Sequence, residues 1–126
     1  FEDWPNTLTY YGLALEGYLN KDDPVHVTVG YHNLGRTYQE SGQFELAVEH
    51  FTKAIEWHDN MPDGYDEVGK SHTLIQMANT YISMNELDKA EHILNGLNMD
   101  LMPEYYMSHY QALSERLAKE RTAKAN

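Results

Sequence analysis

The chain has 126 residues, 41% of them hydrophobic, no cysteine and a formal net charge of −11. That size suits one soluble domain with a core of its own, and the lack of thiols excludes disulfides and thiolate metal sites, which fits a cytoplasmic protein. The acidic balance repels phosphate and excludes direct nucleic-acid binding, while no apolar run reaches the roughly 20 residues that cross a bilayer, so membrane insertion is not expected.

Phe1-Glu2-Asp3-Trp4-Pro5 has neither an initiator Met nor the basic and apolar regions of a signal peptide, which reads as the start of a piece from a longer protein. Asp3 before Pro5 and Asp22-Asp23 before Pro24 mark helix starts. An Asp carboxylate accepts the open amide protons of a first turn, and Pro has no amide proton to lose there. Ser41-Gly42 and Asn85 mark stops, because Gly and Asn tolerate the left-handed conformation that ends many helices. Pro62 and Pro103 open new segments. Six helices are predicted, near residues 5–20, 24–40, 44–59, 64–83, 87–97 and 103–121, with no strand pair.

The chain repeats itself. Leu34, Gly35, Tyr38, Gly42, Ala47, Phe51 and Ala54 reappear 43 residues later as Met77, Ala78, Tyr81, Asn85, Ala90, Leu94 and Leu97. Small residues on both helices of a pair permit close approach, and the aromatic and aliphatic ones fill what remains. One helix pair cannot bury both of its faces, whereas stacked pairs cover one another.

These residues resemble the tetratricopeptide repeat family, whose packing pattern stands here as Tyr31-x2-Leu34-Gly35-x2-Tyr38, Ala47-x3-Phe51, Ala54 and the late Pro62. A degenerate second copy runs Leu74-x2-Met77-Ala78-x2-Tyr81, Ala90-x3-Leu94 and Pro103. The resemblance implies an all-α fold of antiparallel helix pairs stacked as a short solenoid. Its expected parts within a single domain over 1–126 are a flanking helix at 5–20, a first repeat at 28–61, a second at 71–102, and a capping or partial third-repeat helix at 103–126. The family's period of about 34 residues is lengthened, by extra turns around Asn60 to Lys70. Near the N-terminus, Ala14 and Tyr18 resemble the Ala-x3-Phe half of a repeat.

In this family the first helix of each pair lines a concave face. With Leu34 and Tyr38 turned inward, the 3.6-residue period leaves Val29, His32, Asn33, Arg36, Gln39 and Glu40 on an adjoining stripe. Their equivalents are His72, Ile75, Gln76, Asn79, Ile82 and Ser83. Carboxamides that both donate and accept suit an extended peptide, so His32, Asn33, Arg36, Gln39, His72, Gln76 and Asn79 are the candidate peptide-binding residues. Only Arg36 stands where chaperone-binding relatives place several cations, which disfavours a carboxylate-clamp ligand.

Nothing points to catalysis. Asp88 and His92 have helical ligand spacing but supply two ligands only, His50 and His58 are too far apart to share an ion, and no phosphate-binding loop occurs. Gly30 and Gly35 are read as close-packing positions, and Met99, Met102 and Met107 as filling beneath the last helix. The expected function is therefore a non-catalytic, cofactor-free module that binds a protein or peptide segment. The alternative is a ligand-sensing domain excised from a longer bacterial signalling protein such as a transcription regulator, diguanylate cyclase or kinase. Leu113 and Leu117 form an apolar seam on the C-terminal helix, from which a homodimer through that helix is expected.

Overall fold

A computed structural model describes residues 3–62 and 66–125. Six α-helices account for most of them: α1 (Trp4–Asn20), α2 (Pro24–Glu40), α3 (Phe44–Asp59), α4 (Glu67–Ser83), α5 (Leu87–Asn95) and α6 (Glu104–Ala125), with a single 3-10 turn at Met99–Leu101. No helix among the described residues is long and apolar enough to cross a membrane. The chain falls into two compact units, Phe1–Tyr65 and Asp66–Asn126.

In the first unit, α2 packs against both α1 and α3. Asp3 and Asp23 cap their helices as expected, their carboxylates accepting the N–H of Asn6 and of His26. The hydrogen bond from the His26 N–H, aided by the His26 ring, holds the Asp23 carboxyl below the usual range against a smaller opposing effect of desolvation. Because the folded value lies below the unfolded one, this contribution is complete above about pH 4 and is lost as the pH falls through the folded value. Acidification should therefore lower the melting temperature of the wild type more than that of Asp23→Asn, a neutral cap that does not titrate; parallel thermal scans from about pH 5 downward measure the difference.

The α2–α3 contact is close because small residues meet large ones. Ala47, Phe51 and Ala54 are fully buried, and a Cβ on Gly35 would lie 2.6 Å from the Phe51 ring. Gly30 likewise receives Leu15 from α1, with the Leu15 side chain 3.1 Å from where a Cβ would stand. Both glycines thus serve close packing. Enlarging Ala47 to Leu should force these helices apart and destabilise the chain by about 1–3 kcal/mol, read from urea unfolding.

Three turns share one geometry. Asp22, Gly42 and Asn85 adopt left-handed φ angles of 52°, 83° and 65°. The next residue, Asp23, Gln43 or Glu86, donates its N–H to the carbonyl of Tyr18, Tyr38 or Tyr81, at 3.1, 2.8 and 2.8 Å. This is the doubly bonded helix ending that favours Gly or Asn. Tyr18 therefore corresponds to Tyr38 and Tyr81, rather than to the Phe of an Ala-x3-Phe half. Tyr11, Ala14, Leu15 and Tyr18 stand twenty positions before Tyr31, Leu34, Gly35 and Tyr38. So α1 and α2 form a hairpin of the same kind as α2 and α3, with α2 shared between them.

In the second unit, α6 lies against α4 and α5 over a core of Ile75, Ala78, Ile82, Leu87, Ala90, Leu94, Leu97 and Leu117. Met99 and Met102 pack against that core as expected. Leu117 is only 7% exposed, and Leu113 packs on the same cluster. The seam from which a C-terminal homodimer was expected is thus filled from within the chain, since the apolar side of α6 covers the exposed flank of α4 and α5. The start of α4 also differs: it begins at Glu67, with Asp66 in a left-handed cap (φ 49°) whose carboxylate accepts the Gly69 N–H. A Cβ at Gly69 would crowd that carboxylate, the movable end of the Asp66 side chain, so a residue without a side chain eases the cap. The expected earlier start, and part of the extra turns expected around Asn60 to Lys70, lie outside the described residues.

Candidate functional site

The candidate residues divide between the two units. In the first, Asn33 and Arg36 join Thr37 and Glu40 of α2 with Trp4, Thr7 and Tyr11 of α1 around a polar hollow of about 250 Å³. Arg36 leans toward Glu40, with 3.5 Å between Nη2 and Oε1, and both side chains are about half exposed. An exposed pair at that distance contributes little and leaves the guanidinium available to a better carboxylate. His32 lies toward α3 instead, its ring 5.8 Å from that of Phe51. Gln39 is half-buried near the end of α2 and does not line the hollow.

In the second unit, Ile75, Gln76 and Asn79 of α4 face Ser108, His109, Ala112 and Leu113 of α6 across a cleft of about 290 Å³. The walls are mostly apolar, with the polar groups set between them. Arg116 fixes one end of this arrangement, donating from Nη1 to Asn79 Oδ1 at 2.7 Å and from Nη2 to Ser83 Oγ at 3.3 Å. With its oxygen engaged by a cation, the Asn79 carboxamide is oriented, and its N–H groups are the end suited to a ligand carbonyl. His72 stacks on Tyr106, ring centroids 4.5 Å apart and 18° from parallel.

The stripe expected on α4 is therefore partly roofed by α6. Ile75 and Ile82, read from the sequence as groove positions, are 1% and 4% exposed and belong to the core. Gln76 is 9% exposed and is one of the residues that line the cleft. Helical period alone places a residue on a face; it does not say which neighbour covers that face. The residues that local reasoning missed, Ser108, His109, Ala112 and Arg116, all come from α6.

Asp88, the better half of the spaced Asp-His pair, is bound by Arg121, whose Nη2 lies 2.7 Å from Asp88 Oδ1 and 2.6 Å from Glu91 Oε2. The hydrogen bond to Asp88, with Glu91 beside it, holds the guanidinium still more firmly protonated. These bonds tie α6 to α5. Among the described residues no group of three or more His, Asp or Glu side chains is placed to hold a metal ion.

A family model described as tetratricopeptide repeat matches residues 29–95, slightly more than half of the chain. That span runs from within α2 to the end of α5. Neither curated proteins nor solved structures yielded a match.

Proposed function

The chain belongs to the tetratricopeptide repeat family, a family of protein-interaction repeats, and from that premise we propose that it is a non-catalytic module that captures an extended peptide segment. The observation that carries this reading is the cleft of the second unit, where mostly apolar walls flank the Asn79 carboxamide oriented by Arg116. An apolar peptide side chain enters against Ala112 and Leu113, above the buried Ile75, while Asn79 and Gln76 bond the neighbouring peptide backbone. In the first unit, Asn33 and Arg36 offer a second, polar contact for a ligand carbonyl or carboxylate. His72, stacked on Tyr106, supports the cleft from the side of α4. The family's scaffold character accords with a chain that works without a cofactor.

Asn79→Asp is the sharpest test, because it keeps an acceptor for Arg116 and removes the N–H donors. A peptide selected on the chain from a random display library should bind this variant about 2–10-fold more weakly in calorimetric titration, the loss of one hydrogen bond. The melting temperature should stay close to that of the wild type. Unchanged affinity in both Asn79→Asp and Asn33→Ala would exclude these surfaces from recognition.

A further inference from the structure

The polar hollow between α1 and α2 is sorted by chemistry along its length. On α2, Asn33 and Arg36 stand one turn before Thr37 and Glu40, which sets the donors of a carboxamide and a guanidinium ahead of a hydroxyl and a carboxylate. Both threonines of the hollow have spent their protons. Thr37 Oγ1 donates to the Asn33 carbonyl at 2.9 Å and Thr7 Oγ1 to the Asp3 carbonyl at 3.0 Å, so each keeps only an acceptor oxygen for a ligand. Because α1 runs back along α2, with Leu15 against Gly30, its Thr7 and Trp4 fall toward the Glu40 end and its Tyr11 toward Asn33. One end of the hollow thus suits an anion and the other a cation.

We infer that this hollow binds a free α-amino acid as its zwitterion. The carboxylate takes the Arg36 guanidinium and the Asn33 carboxamide, while the ammonium takes the Glu40 carboxylate and the two threonine oxygens, beside the Trp4 ring that favours a cation. Like charges enforce the choice. A simple carboxylate would lie beside Glu40 and a simple amine beside Arg36, whereas the zwitterion meets an opposite charge at both ends. Its two charges stand on one carbon, and those of Arg36 and Glu40 are just as close, 3.5 Å apart in a weak, half-exposed pair that a ligand can exchange head to tail. Size agrees with this. At about 250 Å³ the hollow lies below the roughly 300–1,000 Å³ of sites for drug-sized molecules. The site belongs wholly to the first unit, so it stands apart from peptide capture by the second.

Free phenylalanine is the probe, with phenylpropionate lacking the ammonium and phenethylamine lacking the carboxylate. In an NMR titration of the isotope-labelled chain, read at the Trp4 indole and Asn33 carboxamide N–H groups, phenylalanine should saturate with a dissociation constant in the millimolar range. Either analogue should bind at least about threefold more weakly. Arg36→Gln and Glu40→Gln should each weaken phenylalanine about 3–10-fold, at a melting temperature close to the wild type because both side chains are half exposed. The two variants should also separate the analogues, since Glu40→Gln strengthens phenylpropionate and Arg36→Gln strengthens phenethylamine by removing the like charge. An ion pair with a structural role only would move neither. Shifts that never saturate, equal binding of all three compounds, or wild-type affinity for phenylalanine in both variants would overturn the proposal.

Discussion

Phe51→Ala should destabilise the first unit by about 3–5 kcal/mol, the range for removing a fully buried aromatic ring. Phe51 is inaccessible to solvent and lies over Gly35, so the cavity has little freedom to collapse. The partner substitution makes the result specific to this contact. A Cβ at Gly35 would stand 2.6 Å from two ring atoms, and Gly35→Ala should cost about 1–3 kcal/mol although Ala is the better helix former. In a Phe51→Leu background that clash is relieved, so the double-mutant cycle should show a coupling of at least about 0.5 kcal/mol by urea unfolding. A Gly35→Ala variant as stable as the wild type in both backgrounds would mean that α2 and α3 do not approach at Gly35.

Leu117→Glu should destabilise the second unit by at least about 3 kcal/mol, since the loss of a buried leucine is compounded by a carboxylate with no partner. Leu117 is 7% exposed and belongs to the cluster formed by Ala90, Leu94 and Leu97 with the α4 residues Ile75, Ala78 and Ile82. Ala118→Glu, one residue on and exposed, should change stability by no more than about 0.5 kcal/mol. Thermal unfolding of the two variants separates a helix held in the core from one that rests on the surface. Equal melting temperatures would detach α6 from the core and remove the far wall of the cleft.

Most helix limits were legible in the sequence because their signals are local. Asp3, Asp23, Gly42 and Asn85 act on their own first or last turns, and Pro103 stands directly before α6. The Asp66 cap of α4 went unread because Pro62 is the louder signal, whereas that cap rests on a residue in a left-handed conformation. The kinship of α1 with the other first helices was harder to see. Leu15 stands where the pattern has Gly35 or Ala78, and the compensation, a small residue at Gly30, lies on the other helix.

The candidate site was legible only by halves. Period placed Asn33, Arg36, Gln76 and Asn79 on the outer side of their helices, and each lines a hollow or a cleft. What helical period could not supply was the opposing wall. Arg116 reaches Asn79 across 37 positions of chain, and such a pair leaves no trace in local spacing. For the same reason Ile75 and Ile82 passed for groove residues until the packing of α6 assigned them to the core.

Amide NMR of the isotope-labelled chain, titrated with a library-selected peptide, tests the proposed recognition surface most directly. Shifts should concentrate at Gln76, Asn79, Ser108, His109 and Leu113, with a smaller set at Asn33 and Arg36, and those of the cleft should vanish in Asn79→Asp. Shifts confined to the outer faces of α3 or α5, at an affinity that Asn79→Asp leaves unchanged, would contradict it.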